Sequence, residues 1–348
     1  MYRNCFWNLA FIRLMITKMN NASTIVLLFY AFTPIGDPKK LASDQKELCE
    51  RLGLKGRLLI AKEGINGTLA GTRQAAKAYQ SIMADEPRFA SMPFKVSESA
   101  GNPFPKLMVK TRREIVTLGV ETPHNIEEAG GKHLSPAEWK RMIKEDEDVI
   151  LFDTRNRYES DIGRFKGAIL PNTENFRDLP DLIEQYESYK DKKFLMYCTG
   201  GIRCEKATVL FRKAGFKKVF QLHGGIVNYW KEEGADLWEG DCFVFDERMT
   251  LEPPETNGKI RAIGKCAHTG VSTRNFVNCL HDPCHRLILV HPKVMEDDTN
   301  KQLCPDCLGK GLNLDSAVYP GSPSMPPGRR PKNRGHRGGQ QPKSPKKK

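Results

Sequence analysis

The run Phe194-Leu-Met-Tyr-Cys-Thr-Gly-Gly-Ile-Arg-Cys-Glu-Lys206 constrains this chain more than any other segment. Its apolar and aromatic start reads as a buried strand, a glycine-containing loop follows, and a helix is expected from about residue 205 to 214. A strand that ends in such a loop and feeds a helix is the repeating step of a parallel α/β sheet. In those sheets chemistry gathers at the carboxyl ends of the strands. Neighbouring segments agree: 149–153 and 219–222 read as strands, and 154–163, 179–190 and 227–233 as helices. Ser135-Pro-Ala-Glu138 opens a further helix, with Ser as cap, Pro at the first position and Glu as the capping-box partner. Residues 135–240 are therefore expected to form a parallel sheet with helices on both faces.

Cys198 stands at the end of the strand. A thiol there meets the positive end of a helix and the N–H groups of the loop, and both favour the reactive thiolate. Gly200 and Gly201 can turn N–H groups inward without a Cβ clash, Thr199 and Ile202 complete the loop, and Arg203 adds a permanent charge. Cys204 opens the helix. It either resolves an oxidised or persulfidated Cys198 or simply packs.

Residues 22–120 read β-α-β-β-α-β, the order of a ferredoxin-like α/β sandwich. Strands are expected at 25–32, 57–61, 67–70, 92–97 and 107–118, and helices at 38–52 and 72–84, the second capped by Thr72. Glu63-Gly-Ile-Asn-Gly67 reads either as a tight turn or as a substrate-contacting loop. Lys55, Lys62, Lys106, Lys110, Arg112 and Arg113 form either a phosphate-contacting face or a solvated strand face. Residues 121–134, with Pro123 and Gly130-Gly131, read as a linker.

Six of the ten cysteines lie in 241–315, which points to metal and redox use in a reducing compartment rather than a disulfide scaffold. Cys279-x4-Cys284 and Cys304-x2-Cys307 have metal-ligand spacing, so a zinc-ribbon-like region with a structural zinc ion is expected. Cys266-Ala-His-Thr-Gly270 is similar to a knuckle whose second cysteine is Thr269. Cys266 is thus a further candidate ligand, with His268, His281 or His285 as substitutes for the lost cysteine. The net charge of +13 sits at the ends: +9 in 316–348, +3 in 1–21, and +1 between them. Residues 316–348 read as a disordered basic tail, and 1–21 as a disordered extension, unless translation begins at Met19. No apolar run is long enough to cross a membrane.

Asp153-Thr-Arg-Asn-Arg-Tyr-Glu159, Gly163-Arg-Phe-Lys-Gly167, the 198–203 loop and Gly224-Gly225-Ile226 together resemble a rhodanese domain. The resemblance implies that Cys198 carries a persulfide, that the six-residue loop cups it, and that Arg203 helps to bind an anion. It also makes Asp153 and Arg155 a pair that supports the fold. A dual-specificity phosphatase would need a longer C-x5-R loop. The stretches 54–71 and 106–119 extend the likeness, and with 197–206 they are similar to the tRNA uridine(34) hydroxylase family from about residue 25 to 310. That resemblance implies oxygen-dependent formation of 5-hydroxyuridine at the wobble position, with tRNA as partner, molecular oxygen as co-substrate and the cytoplasm as location. No motif for an organic cofactor is evident, and the sequence names no protein partner. In this chemistry Cys198 either adds to C6 of uridine or, once oxidised, transfers oxygen itself. The competing functions are a rhodanese-type sulfurtransferase and a non-catalytic RNA-binding protein dominated by its tail.

Overall fold

The computed structural model describes residues 23–123, 125–254 and 261–314. The expected N-terminal extension and basic tail lie outside the described residues.

The N-terminal unit contains β1 (Thr24–Phe32), α1 (Pro38–Arg51), β2 (Lys55–Ala61), β3 (Gly64–Gly71), α2 (Arg73–Asp85), β4 (Phe94–Ser99) and β5 (Leu107–Thr111). The sheet order is β4-β1-β3-β2-β5, antiparallel except for the β2–β5 pair. This is the ferredoxin-like arrangement the element order predicts, with a fifth strand at one edge. Alternation divides the sheet into two faces. Ile25, Leu27 and Phe29 join Leu41, Leu48, Tyr79 and Met83 in the core beneath the helices. Leu28 and Tyr30 therefore point to the opposite, helix-free face. Asp37 caps α1 through the N–H groups of Lys39 and Lys40, and Thr72 caps α2 through that of Ala75. Each cap contributes about 1 kcal/mol.

Two sequence expectations need correction here. The tight turn is Lys62-Glu63, because Ala61 pairs with Gly64; Gly64–Gly67 belongs to β3. Glycine suits that strand because a Cβ on Gly67 would lie 2.4 Å from Leu58 Cδ2 and 2.6 Å from Phe29 Cζ. The strand expected over 107–118 ends at Thr111, because Glu114 bends the chain by accepting the N–H groups of Leu118 and Gly119.

The middle unit runs α3 (Ile126–Ala129), β6 (Lys132–Leu134), α4 (Pro136–Glu145), β7 (Val149–Asp153), α5 (Arg157–Ser160), β8 (Gly163–Phe165), a 3-10 helix (Phe176–Tyr189), β9 (Lys193–Tyr197), α6 (Ile202–Lys213), β10 (Lys218–Leu222), α7 (Gly225–Glu233) and β11 (Trp238–Gly240). Its sheet is wholly parallel in the order β6-β10-β9-β7. The segment read as a linker thus supplies an edge strand, Lys132–Leu134, which is too short for periodicity to signal. The capping box at Ser135 and Glu138 forms as expected. The central strand β9 is buried on both faces: Phe194, Leu195, Met196 and Tyr197 are all inaccessible. Phe152, Phe194, Phe211 and Phe216 pack on one side of the sheet, and Trp139, Phe165, Tyr197 and Trp238 on the other.

The C-terminal region has short pairs, β12 (Cys242–Phe243) with β13 (Thr250–Leu251) and β14 (Phe276–Asn278) with β15 (Leu287–Leu289), then α8 (Pro292–Asp297) and α9 (Pro305–Gly309). Phe243 and Leu289 pack on Ile162, which fixes this region against the middle unit. Among the described residues no helix is long and apolar enough to cross a membrane.

Candidate active site

Cys198 immediately follows β9, between β7 and β10, and is 1% exposed. The loop after it is held from two sides. Beneath it, Ile226 N–H and Val227 N–H at the start of α7 donate to the carbonyls of Cys198 and Thr199, at 3.0 and 3.2 Å. Gly225 makes this approach feasible: its φ is +71°, and a Cβ would lie 2.6 Å from Cys198 O. Above it, Gly201 (φ +101°) starts α6, and its N–H donates to Cys198 Sγ at 3.1 Å.

Burial alone would raise the Cys198 thiol. A hydrogen bond from Cys204, the positive charge of Arg203 and the N–H groups of Arg203 and Gly201 outweigh it, holding the thiol at about 6. Cys204 moves the opposite way. Burial and its hydrogen bond to Cys198 push it well up, and its sulfur also lies 3.6 Å from Thr154 Oγ1. The pair is therefore one thiolate and one donating thiol. The third nearby sulfur, Cys242, lies 3.9 Å from Thr199 Oγ1, and burial pushes it up to about 11.

Arg203 is paired within the protein. Its guanidinium donates to both carboxylate oxygens of Glu159, at 2.6 and 2.8 Å, and its carbon lies 5.8 Å from the Phe245 ring centroid. Glu159 in turn caps α5 by accepting the Asn156 N–H. Asp153 and Arg155 form a wholly buried bidentate pair at the end of β7, and Arg155 also donates to Gly163 O.

The helix-free face of the N-terminal sheet covers the cysteine loop, an arrangement no local motif announces. Leu28 Cδ2 is 2.9 Å from where a Cβ on Gly200 would stand, and Tyr30 Oη is 2.8 Å from the corresponding point on Gly201. Tyr30 donates to Glu205 Oε1 at 2.9 Å, and Gln221 donates to Glu205 Oε2 at 3.1 Å. Lys206, 1% exposed, reaches Glu63 at 2.9 Å and Glu114 at 2.7 Å. Glu63 is therefore part of a joint between units. Lys95 is half-buried, with its ammonium 4.9 Å from the Tyr30 ring centroid. Burial lowers it to about 8, and the negative charges of Cys198 and Glu205 act in the other direction. Arg248 ties the C-terminal region to the same face through Ser97 Oγ at 3.2 Å.

Cys279, Cys284, Cys304 and Cys307 converge, with all four sulfurs within 4.8 Å of one another, so the quartet could hold a metal ion. Cys266 lies outside it: its backbone closes the turn to Gly270 and Val271, and its sulfur accepts from Thr269 and nearby N–H groups. His268 is occupied with Lys301 O and His285 with Asp282. His281 Nδ1 lies 3.3 Å from Cys307 Sγ, beside the quartet. Sequence reasoning missed Tyr30, Lys95, Glu159 and Glu205. Only the alternation in 94–99 signalled that Lys95 would leave the N-terminal core.

Residues 24–115 match the UPF0176 acylphosphatase like domain, 135–232 the rhodanese-like domain and 239–308 the rhodanase C-terminal family. A protein of Bacillus cereus (strain G9842) called tRNA uridine(34) hydroxylase is 45% identical over 267 residues, which span 76% of this chain and 83% of the relative. Relatives of the same name from Bacillus anthracis (strain A0248) and Bacillus thuringiensis subsp. konkukian (strain 97-27) match at the same identity and coverage.

Proposed function

Because the chain belongs to the tRNA uridine(34) hydroxylase family, we propose that it hydroxylates C5 of the wobble uridine of tRNA, with Cys198 as nucleophile. The observation that carries the reading is a buried cysteine whose sulfur accepts the Gly201 N–H, in a loop covered by Leu28 and Tyr30 of the N-terminal unit. A thiol held at about 6 is mostly ionised at neutral pH.

In the proposed reaction Cys198 Sγ adds to C6 of the uracil, and the C5–C6 π pair moves to C5 and O4 as an enolate. The oxidant is a hydroperoxide, dioxygen reduced by two electrons supplied from outside the chain. C5 attacks its distal oxygen, the O–O bond breaks, and the second oxygen leaves with the bonding pair and takes a proton. Loss of the C5 proton restores the C5–C6 double bond and expels the Cys198 thiolate. Uridine and hydroperoxide thus become 5-hydroxyuridine and water or an alcohol. Cys204 holds the thiolate by hydrogen bonding. Thr199, Gly200, Gly201 and Ile202 shape the cradle, and Arg203 supplies charge from its pair with Glu159.

Zinc is the metal we assign to the cysteine quartet. Sulfurs about 2.3 Å from a tetrahedral zinc ion lie about 3.8 Å apart. The Cys279–Cys307 and Cys284–Cys304 separations are 3.7 and 3.8 Å. Bound there, zinc would cross-link a region with few long elements.

The test is nucleoside mass spectrometry of unmodified tRNA incubated with a hydroperoxide and either the full chain or its Cys198→Ser and Cys198→Ala variants, against a control without protein. Loss of 5-hydroxyuridine in both variants is expected; full retention removes Cys198 from the chemistry. Rapid thiocyanate formation from thiosulfate and cyanide, without 5-hydroxyuridine, would move the chain to sulfur transfer.

A further inference from the structure

The helix-free face of the N-terminal sheet carries a charge pattern that the cysteine chemistry does not use. Register places Lys95 on β4 opposite Leu28 on β1, Leu28 opposite Thr68 on β3, and Thr68 opposite Arg57 on β2. These four residues form one row across the sheet. The adjacent row runs Tyr30, Asn66, Leu59 and Lys110, and Lys55 lies two residues before Arg57 on the same face. Strand positions on this face hold Lys55, Arg57, Lys95 and Lys110 and no acidic residue. None of these four cations forms a salt bridge with another described residue. The nearby carboxylates are occupied: Glu63 and Glu114 by Lys206, and Glu205 by Tyr30 and Gln221.

Unpaired cations on a face without acids are unusual in a body whose net charge is only +1 between residues 22 and 315. Like charges so arranged repel one another and are relieved by a polyanion. The row also has a direction. Lys95 sits beside Tyr30, which stands over Gly201, the donor to Cys198. Arg57 lies three strand spacings away, about 14 Å, and is exposed.

We propose that this face is the RNA-binding surface, with Lys95 taking the phosphate beside the reacting uridine and Arg57 and Lys110 taking phosphates further along the strand. The occupant is an RNA backbone and not an acidic peptide, because the row ends at the thiolate that attacks a base. The inference rests on the hydroxylase reading for the identity of that base, but its test does not.

Binding is measured in the Cys198→Ser background, which separates it from reaction. Fluorescence anisotropy follows an unmodified tRNA transcript over a range of salt concentrations. Each phosphate contact contributes about 0.7 to the slope of log K against log salt for single-stranded RNA. Replacing Lys95, Arg57 and Lys110 by Gln should therefore flatten the slope by about 2. A control replaces Lys132 and Lys218 by Gln, at the start of β6 and β10 and so at the opposite end of the parallel strands from Cys198. It should leave the slope within a few tenths of wild type. If the triple variant melts early, Arg57→Gln alone, exposed and without an ion pair, should still remove about 0.7. An unchanged slope in the face variants overturns the proposal, as does an equal loss in the control. Face-dependent binding without 5-hydroxyuridine in the wild type would sink the reaction while the surface stands. Hydroxylation with an unchanged slope would do the reverse.

Discussion

Replacing Arg203 by Met tests how the thiolate at Cys198 is held. In the intact site the thiol is depressed from 9.0 to about 6, against burial, by Cys204, the Arg203 charge and two backbone N–H groups. A neighbouring cation lowers an acid by about 1 to 3 pH units. Losing Arg203 also leaves Glu159, its bidentate partner, as an uncompensated anion close by. The expected midpoint therefore moves from about 6 to about 8, and the thiolate fraction at pH 7 falls from about nine-tenths to about one-tenth. Breaking the buried pair should destabilise the fold by about 3–5 kcal/mol. The Arg203→Met/Glu159→Gln double variant leaves neither charge buried, so it should regain much of that stability while keeping the raised midpoint. Glu159→Gln alone frees the Arg203 charge and should drive the midpoint below 6. The assay is ultraviolet thiolate absorbance against pH, each variant referenced to the same protein with Cys198→Ser, together with 5-hydroxyuridine yield at pH 7 and pH 9. Yield from Arg203→Met should drop about tenfold at pH 7 and recover at pH 9. A midpoint that stays near 6 without Arg203 refutes the reasoning and assigns the thiolate to the N–H groups and Cys204.

Further outcomes follow from the same geometry. The folded-state pKa of Cys198 is depressed, so its contribution to stability is complete above about pH 9 and lost as the pH falls through about 6. Chemical denaturation of wild type against Cys198→Ser should reveal a difference that shrinks by about 3 kcal/mol over that interval. Gly225→Ala places a Cβ 2.6 Å from Cys198 O at φ +71° and should abolish hydroxylation, with wild-type metal content preserved. Metal analysis should find one ion per chain, lost in Cys304→Ser and kept in Cys266→Ser, because only Cys304 belongs to the quartet. Chelation should lower the melting temperature of the wild type and leave that of Cys304→Ser unchanged.

Much of the fold was legible because local chemistry and global fold agree. Unbroken apolar runs marked β1 and β9, and Thr72 and Ser135 marked helix starts. These signals failed where elements are short or where a residue serves a distant partner. Lys132–Leu134 is too brief to have a period. Gly64–Gly67 reads as a turn, yet glycine is needed there because Leu58 and Phe29 leave no room for a Cβ.

The sequence by itself determined the thiol and its cradle, since Cys198, its glycines and the start of α6 are contiguous and their hydrogen bonds are local. It likewise determined the cysteine quartet, whose paired spacings bring ligands together two at a time. Tertiary structure alone decided what surrounds them. It committed Arg203 to Glu159 across 44 residues and left Cys266 outside the quartet. It also laid the cationic face of the N-terminal sheet over the loop, with Tyr30 bonded to Glu205 across 175 residues. Strand alternation says which side chains leave a core. Only the packing of one unit on another says what they meet.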